Sequence, residues 1–188
     1  MRPARCLRVE NMSVDEIVAI EVPDAAAEPQ AYRAALARVV GDRDPLEVVE
    51  ETLGRVRVLI QGRSVDELTR RPSEDEWSVA GILGHLFDAE IAVGFRWRMI
   101  LTAERPSYPG YDQDAWGRLP RPPVDQLWPA LEALRASNLW LLRSIPRSTW
   151  SRVGIHNEVG PESLEATVRA RAGHDLAHLN QLERCLKG

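Results

Sequence analysis

Leu46, Val49, Leu53, Val56 and Ile60 follow one another at alternating steps of three and four, the spacing of one apolar stripe on an α-helix. Asp44 before Pro45 supplies an N-cap and a first-turn proline, so the pattern predicts a helix over 44–63. Ser64 caps a short helical piece, SVDELTRR, that ends at Pro72. Ser78 opens the longest helix, over 78–104, with Trp77 placed as a staple residue ahead of it. Its stripe reads Val79, Ile82, Leu83, Leu86, Glu90, Val93, Trp97, Ile100 and Leu101, in which Glu90 is a carboxylate on an apolar face. Residues 105–122 carry four prolines and two glycines and predict an open connection. A third helix over 123–145 turns Leu127, Leu131, Leu134, Leu141 and Ile145 inward and carries Pro129 in its first turns. A short extended piece is expected near 152–159, then a fourth helix over 163–186. Upstream, Ala25–Val40 predicts a short helix, preceded over 1–24 by a weakly structured extension in which Met12 is an alternative start.

Four amphipathic helices without a convincing strand pattern predict an all-α four-helix bundle. The two long connections argue against a simple up-down-up-down path and place helices two and three parallel through a crossover. The domain reading is an N-terminal extension over 1–43, with its short helix, and the bundle over 44–188.

Composition narrows the function classes. The chain has 188 residues, 44% of them hydrophobic and 28% charged, as expected of a single soluble domain with a real core. A net charge of −4 without a long basic run argues against a nucleic-acid partner. Lys187 is the only lysine; the arginines are dispersed among acids and read as genome composition rather than phosphate recognition. No apolar run approaches the ~20 residues of a membrane span, and the basic N-terminus lacks the apolar segment of a secretory signal, so a cytoplasmic location is expected. Cys6 and Cys185 lie at opposite ends, with no C-x-x-C motif for zinc or redox chemistry.

The candidate chemistry lies in the histidines: His85, His156, His174 and His178. His174 and His178, four apart in AGHDLAHLNQL, share one helix face a turn apart, so their ring nitrogens can converge on one ion. If helices two and four are antiparallel, His85 and His178 differ in depth by only ~2 Å at ~1.5 Å per residue. Three histidines at one level, with coordination positions left open, are the donor set of a catalytic zinc or nickel site. The same residues also fit a plainer reading, in which the helical pair is partly exposed and His85 is a hydrogen-bonded core histidine.

The stretch EDEWSVAGILGHLFDAE with GFRWRMIL and PGYDQDAW, and GIHNEVGPESLEATVRARAGHDLAHLNQLER near the C-terminus, resemble the DinB-like (YfiT-like) family over roughly residues 44–187. The resemblance implies an up-down-down-up four-helix bundle holding one divalent metal through His85, His174 and His178. It also implies a thiol S-transferase acting with a low-molecular-weight bacterial thiol, such as bacillithiol or mycothiol, on a small electrophile. A metal-dependent hydrolase is the alternative, and a non-enzymatic metal-binding or dimerisation module is the competing class; a homodimer is the assembly considered.

Other residues divide between site and scaffold. Asp88, one turn after His85, is a candidate to orient a histidine or to take a proton. His156, in the loop before helix four, is a second proton acceptor, a substrate contact, a fourth ligand or a solvated histidine. Glu90 reads as a buried partner for an arginine or a rim residue. Arg96 shares the His85 face three turns on, to hold an anionic substrate or, as favoured, to pair with Asp112 or Asp114. Asp175 reads as a packing residue and Cys185 as a small core residue.

Overall fold

A computed structural model describes residues 22–187 except 24, 26 and 75, so Cys6 and Met12 lie outside the described residues. The elements are α1 (Pro29–Val40), α2 (Pro45–Ile60), α3 (Val65–Thr69), α4 (Val79–Thr102), β1 (Ser107–Tyr108), α5 (Gln113–Gly117), α6 (Val124–Ser144), β2 (Val153–His156), β3 (Gly160–Ser163) and α7 (Leu164–Lys187). The caps read from the sequence are in place. Asp44 accepts from the Leu46 N–H, Ser64 and Glu67 form a capping box, and Ser78 accepts from the Gly81 N–H. Pro129 lies in the second turn of α6 without ending the helix.

The four long helices form the bundle, and their directions follow from which residues meet. Near one end, Val56, Leu83, Leu127 and Leu179 share a core cluster; near the other, Val49, Trp97, Leu142 and Val168 do. Thus α2 and α7 run one way and α4 and α6 the other: up-down-down-up, with α4 and α6 parallel as the long crossover requires. The crossover itself contains β1 and α5. β1 pairs in parallel with β2, which pairs antiparallel with β3, a small sheet beyond the single extended piece that the sequence predicts. Among the described residues no helix is long and apolar enough to cross a membrane.

The short upstream helix forms and is built into the bundle. Ala35, Leu36 and Val40 of α1 are buried. The Leu36 carbonyl lies so close to Gly173 of α7 that an added Cβ would stand 2.0 Å from it. The glycine next to His174 therefore serves close approach of two helices.

The central layer of the bundle is polar. Glu90 is fully buried, and Arg135 Nε donates to its Oε2 at 2.6 Å while Asn138 Nδ2 donates to its Oε1 at 2.8 Å. Arg171 Nη2 lies 3.2 Å from Glu90 Oε2 and 2.8 Å from Asp175 Oδ1, and Arg135 Nη1 lies 2.8 Å from Asp175 Oδ2. Arg135 also donates to the Val49 carbonyl, so the cluster joins α2, α4, α6 and α7. Of the alternatives read for Glu90, the buried arginine partner is the one found, and Asp175 is a packing residue as expected. The buried face of α6 is Leu127, Leu131, Arg135, Asn138, Leu139 and Leu142, whereas Leu134 and Leu141 are only half-buried. An all-apolar stripe misplaced that face because two of its core positions are polar partners of Glu90.

Two carboxylates and two guanidiniums leave this cluster neutral, and removing one partner strands a buried charge. We expect Glu90→Ala to lower stability by ~3–5 kcal/mol. The double variant Glu90→Met/Arg135→Met, which restores neutrality, is expected to lose less. Urea unfolding of the two proteins checks the order; equal losses would mean that burial of unpaired charge is not what the cluster prevents.

Candidate metal centre

Helix geometry brings three of the four histidines to one point. His85 stands in the second turn of α4, and His174 and His178 stand a turn apart on α7, which runs antiparallel to it. One nitrogen of each ring lies within 4.8 Å of the others. His85 Nε2 and His174 Nε2 face each other at 2.9 Å, and His178 Nδ1–H donates to Gln181 Oε1 at 2.8 Å. That bond leaves the His178 Nε2 lone pair free, a tautomer assigned from its partner. His174 Nδ1 is buried without a hydrogen-bond partner among the described residues, 3.8 Å from Asp175 Oδ1.

These donors fit a divalent ion. A tetrahedral ion with ~2.0–2.1 Å metal–nitrogen bonds holds its ligands about 3.3 Å apart, inside the envelope the three nitrogens define. Imidazole binds metal only when neutral. Burial first, then neighbouring histidines and Arg171, holds the His85 and His174 pKa values well below the ordinary histidine value. Burial takes His178 down to about 4 against the opposing effect of its hydrogen bond to Gln181 Oε1.

The walls come from residues that helix periodicity does not single out. The Trp77 ring stacks on His178 with centroids 6.2 Å apart and tilts against His85 at 5.0 Å. Besides any stapling role, it covers the histidines from one side. Arg121, from the end of the crossover, donates to the Gly84 carbonyl, to the Trp116 carbonyl and to both carboxylate oxygens of Asp88. It lies so close to Gly84 that a Cβ there would stand 2.8 Å from its side chain. Of the two roles read for Asp88, orienting a histidine is not found: its carboxylate pairs with Arg121 and latches the crossover to the helical turn that carries His85.

His156 is not solvated. It is buried at the end of β2, edge-on to Tyr108, and its Nδ1 accepts from the Glu158 N–H at 3.2 Å. The tautomer assigned from that partner carries the ring proton on Nε2, so the neutral ring presents a donor there, which suits the substrate contact among the alternatives read for it. Burial, with Arg96 and Arg33 nearby, lowers its pKa to about 4. Among the described residues the candidate ligand group is His85, His174 and His178, and His156 stands outside it. Arg96 does not pair with Asp112 or Asp114: it donates to the Pro109 carbonyl and lies over the Tyr108 ring, while Asp112 caps α5. Cys185 is half-buried, with its thiol donating to the Trp77 carbonyl.

Two cavities meet at His85. One of about 980 Å³ is largely apolar and includes Ile60, Val65, Leu68, Trp77, Leu127 and Trp128. The other, of about 550 Å³, includes Tyr32, Arg33, Arg96, Tyr111, His156 and His174. Gln113 and Asp114 of α5 border both.

The DinB superfamily model matches residues 49–182 of the chain. A protein of Oceanobacillus iheyensis, provisionally named a metal-dependent hydrolase, is 23% identical over 143 residues, covering 75% of this chain and 83% of that protein. A Bacillus cereus protein with the same provisional name is 28% identical over 115 residues, covering 58% of this chain and 66% of its own length. Among solved structures, YfiT from Bacillus subtilis, described as a probable metal-dependent hydrolase with an unusual four-helix bundle topology, superposes with a TM-score of 0.66. Its 23% identity, over 74% of this chain and 84% of that one, speaks to the shared fold.

The buried neutral histidines set an acid limit on the metal-free protein. Their folded pKa values lie below the unfolded value, so the unfolded chain binds more protons. Stability is complete above 6.5 and falls as the pH drops from there towards about 4, the window set by His178 and His156. We expect His156→Asn to flatten that fall by up to ~1.4 kcal/mol per pH unit, one proton's worth. Urea midpoints measured across the window in chelator check this; an unchanged slope would mean that His156 titrates as it does in water.

Proposed function

Because the chain belongs to the DinB superfamily, we propose that it is a metal-dependent hydrolase of small acyl compounds, with His85, His174 and His178 holding one divalent ion, zinc or nickel by donor chemistry. The observation that carries this reading is the convergence of three imidazoles at the meeting point of two cavities. The provisional names of the relatives point the same way, and thiol transfer, expected from the resemblance, gains no support from them.

A divalent ion bound there supplies Lewis acidity, polarising an acyl oxygen and acidifying water. The chain's own residues do the rest. Gln181 fixes the His178 ring, and the stacked Trp77 shields the histidines from solvent. Arg121 and Asp88 keep the crossover closed over the His85 turn and are positioning residues. The Nε2–H of His156 is the donor best suited to hold a substrate oxygen in the smaller cavity. In the reaction the hydroxyl of water joins the carbonyl carbon, the acyl–nitrogen or acyl–oxygen bond breaks, and the proton leaves with the amine or alcohol.

Chelator-stripped protein is expected to take up about one zinc or nickel per chain, the count for a single three-histidine site. With that ion it is expected to cleave a panel of small esters and amides. His85→Ala should abolish metal uptake and cleavage while leaving the helical circular dichroism in place, because the core clusters do not depend on the ion. Uptake that survives His85→Ala would remove His85 from the ligand set. Consumption of a small thiol by an alkylating electrophile, without ester or amide cleavage, would replace hydrolysis by transfer.

A further inference from the structure

The smaller cavity contains a buried positive charge that no carboxylate among the described residues pairs with directly. Arg96 is only 8% exposed, yet its contacts are the Pro109 carbonyl, 2.9 Å from Nη2, and the Tyr108 ring, 5.7 Å from the guanidinium carbon. Among the described residues, one of its five N–H donors finds a hydrogen-bond acceptor. The other buried arginines are matched: Arg135 and Arg171 by Glu90 and Asp175. Arg33 of α1 lines the same cavity and stands 3.7 Å from Glu162, so it does not add a second free charge. Among the described residues the acids that border this cavity, Asp112, Asp114 and Glu158, are exposed at its rim, and Asp112 is committed to capping α5.

A buried guanidinium with open donors is a site for a planar carboxylate, which it meets with paired hydrogen bonds. One unmatched charge balances a monoanion rather than a phosphate dianion. Position supplies a ruler. Arg96 is three helical turns beyond His85, ~16 Å along the axis, and arginine side chains on a helix lean back towards its N-terminus. On the order of 10 Å then separates the histidines from the guanidinium, the span of about three extended residues. The apolar cavity opens on the other side of His85.

We propose that Arg96 anchors the carboxylate end of the substrate, an acyl compound whose apolar group fills the larger cavity and whose carboxylate lies about three extended residues beyond the scissile bond. The substrate class depends on the hydrolase reading; the carboxylate anchor does not. Arg96 is then the residue that selects anionic acyl compounds over neutral ones.

The test is isothermal titration calorimetry on metal-free protein with N-octanoyl-triglycine and its C-terminal amide. The carboxylate should bind at least about tenfold more tightly, as charge-assisted bonds to a buried guanidinium require. Arg96→Met should erase that preference while binding the amide as the wild type does, and Arg96→Lys should keep part of it. N-acetyl-triglycine, which lacks the apolar group, should bind more weakly than the octanoyl probe. Melting temperatures of the variants verify that they fold. Equal binding of acid and amide, no binding of either probe, or a preference that survives in Arg96→Met overturns the anchor. An acetyl probe that binds as well as the octanoyl one overturns the assignment of the apolar cavity. Intact binding preference with no cleavage by the zinc-loaded protein would count against hydrolysis and leave the anchor standing.

Discussion

Glu90 has no route to solvent, and its charge has to be met inside the bundle. Arg135 comes to it from α6 and Arg171 from α7, and Asp175 balances the two guanidiniums. Apolar side chains can slide past one another at small cost, whereas a buried ion pair displaced by a few ångströms loses its Coulomb energy and keeps its desolvation penalty. The cluster therefore fixes the relative height of α4 and α7. His85 precedes Glu90 by five residues, and His174 lies between Arg171 and Asp175, so the same constraint sets the level at which the three imidazoles meet.

The rest of the centre is arranged around that level. Burial keeps the rings neutral and available as donors. The Arg121–Asp88 latch brings the crossover, with α5, across the place where the two cavities join. On the far side α1 docks through Gly173 and contributes Tyr32 and Arg33 to the smaller cavity. These last residues precede the segment that the superfamily model matches, so one wall of the centre comes from a part of the chain that the family comparison does not cover.

The helices were legible because each carries its own periodicity and caps, and the histidine triad because i,i+4 spacing and equal depth are arithmetic on one chain. Glu90 stood out as the wrong kind of residue on its stripe. Its partners did not: Arg135 and Asn138 look like exposed residues until a carboxylate on another helix requires them. Asp88 and Arg121 are far apart in sequence, and nothing local says that the loop arginine returns to the turn carrying His85. The extended piece holding His156 is legible, but its burial is not, because the strand it pairs with is two residues between Pro106 and Pro109, too short to show a pattern. Periodicity gives the face on which a residue lies; it does not give what that face meets.

The claim on which the centre rests is that His85, His174 and His178 together hold one ion with a coordination position open to the cavities. A crystal structure of zinc-soaked protein, phased with data at the zinc absorption edge, tests it directly. We predict one anomalous peak bounded by the three imidazoles, with no further protein ligand and with a solvent molecule or anion on the side facing His156. A peak elsewhere, or one closed off by a fourth side chain, would contradict it.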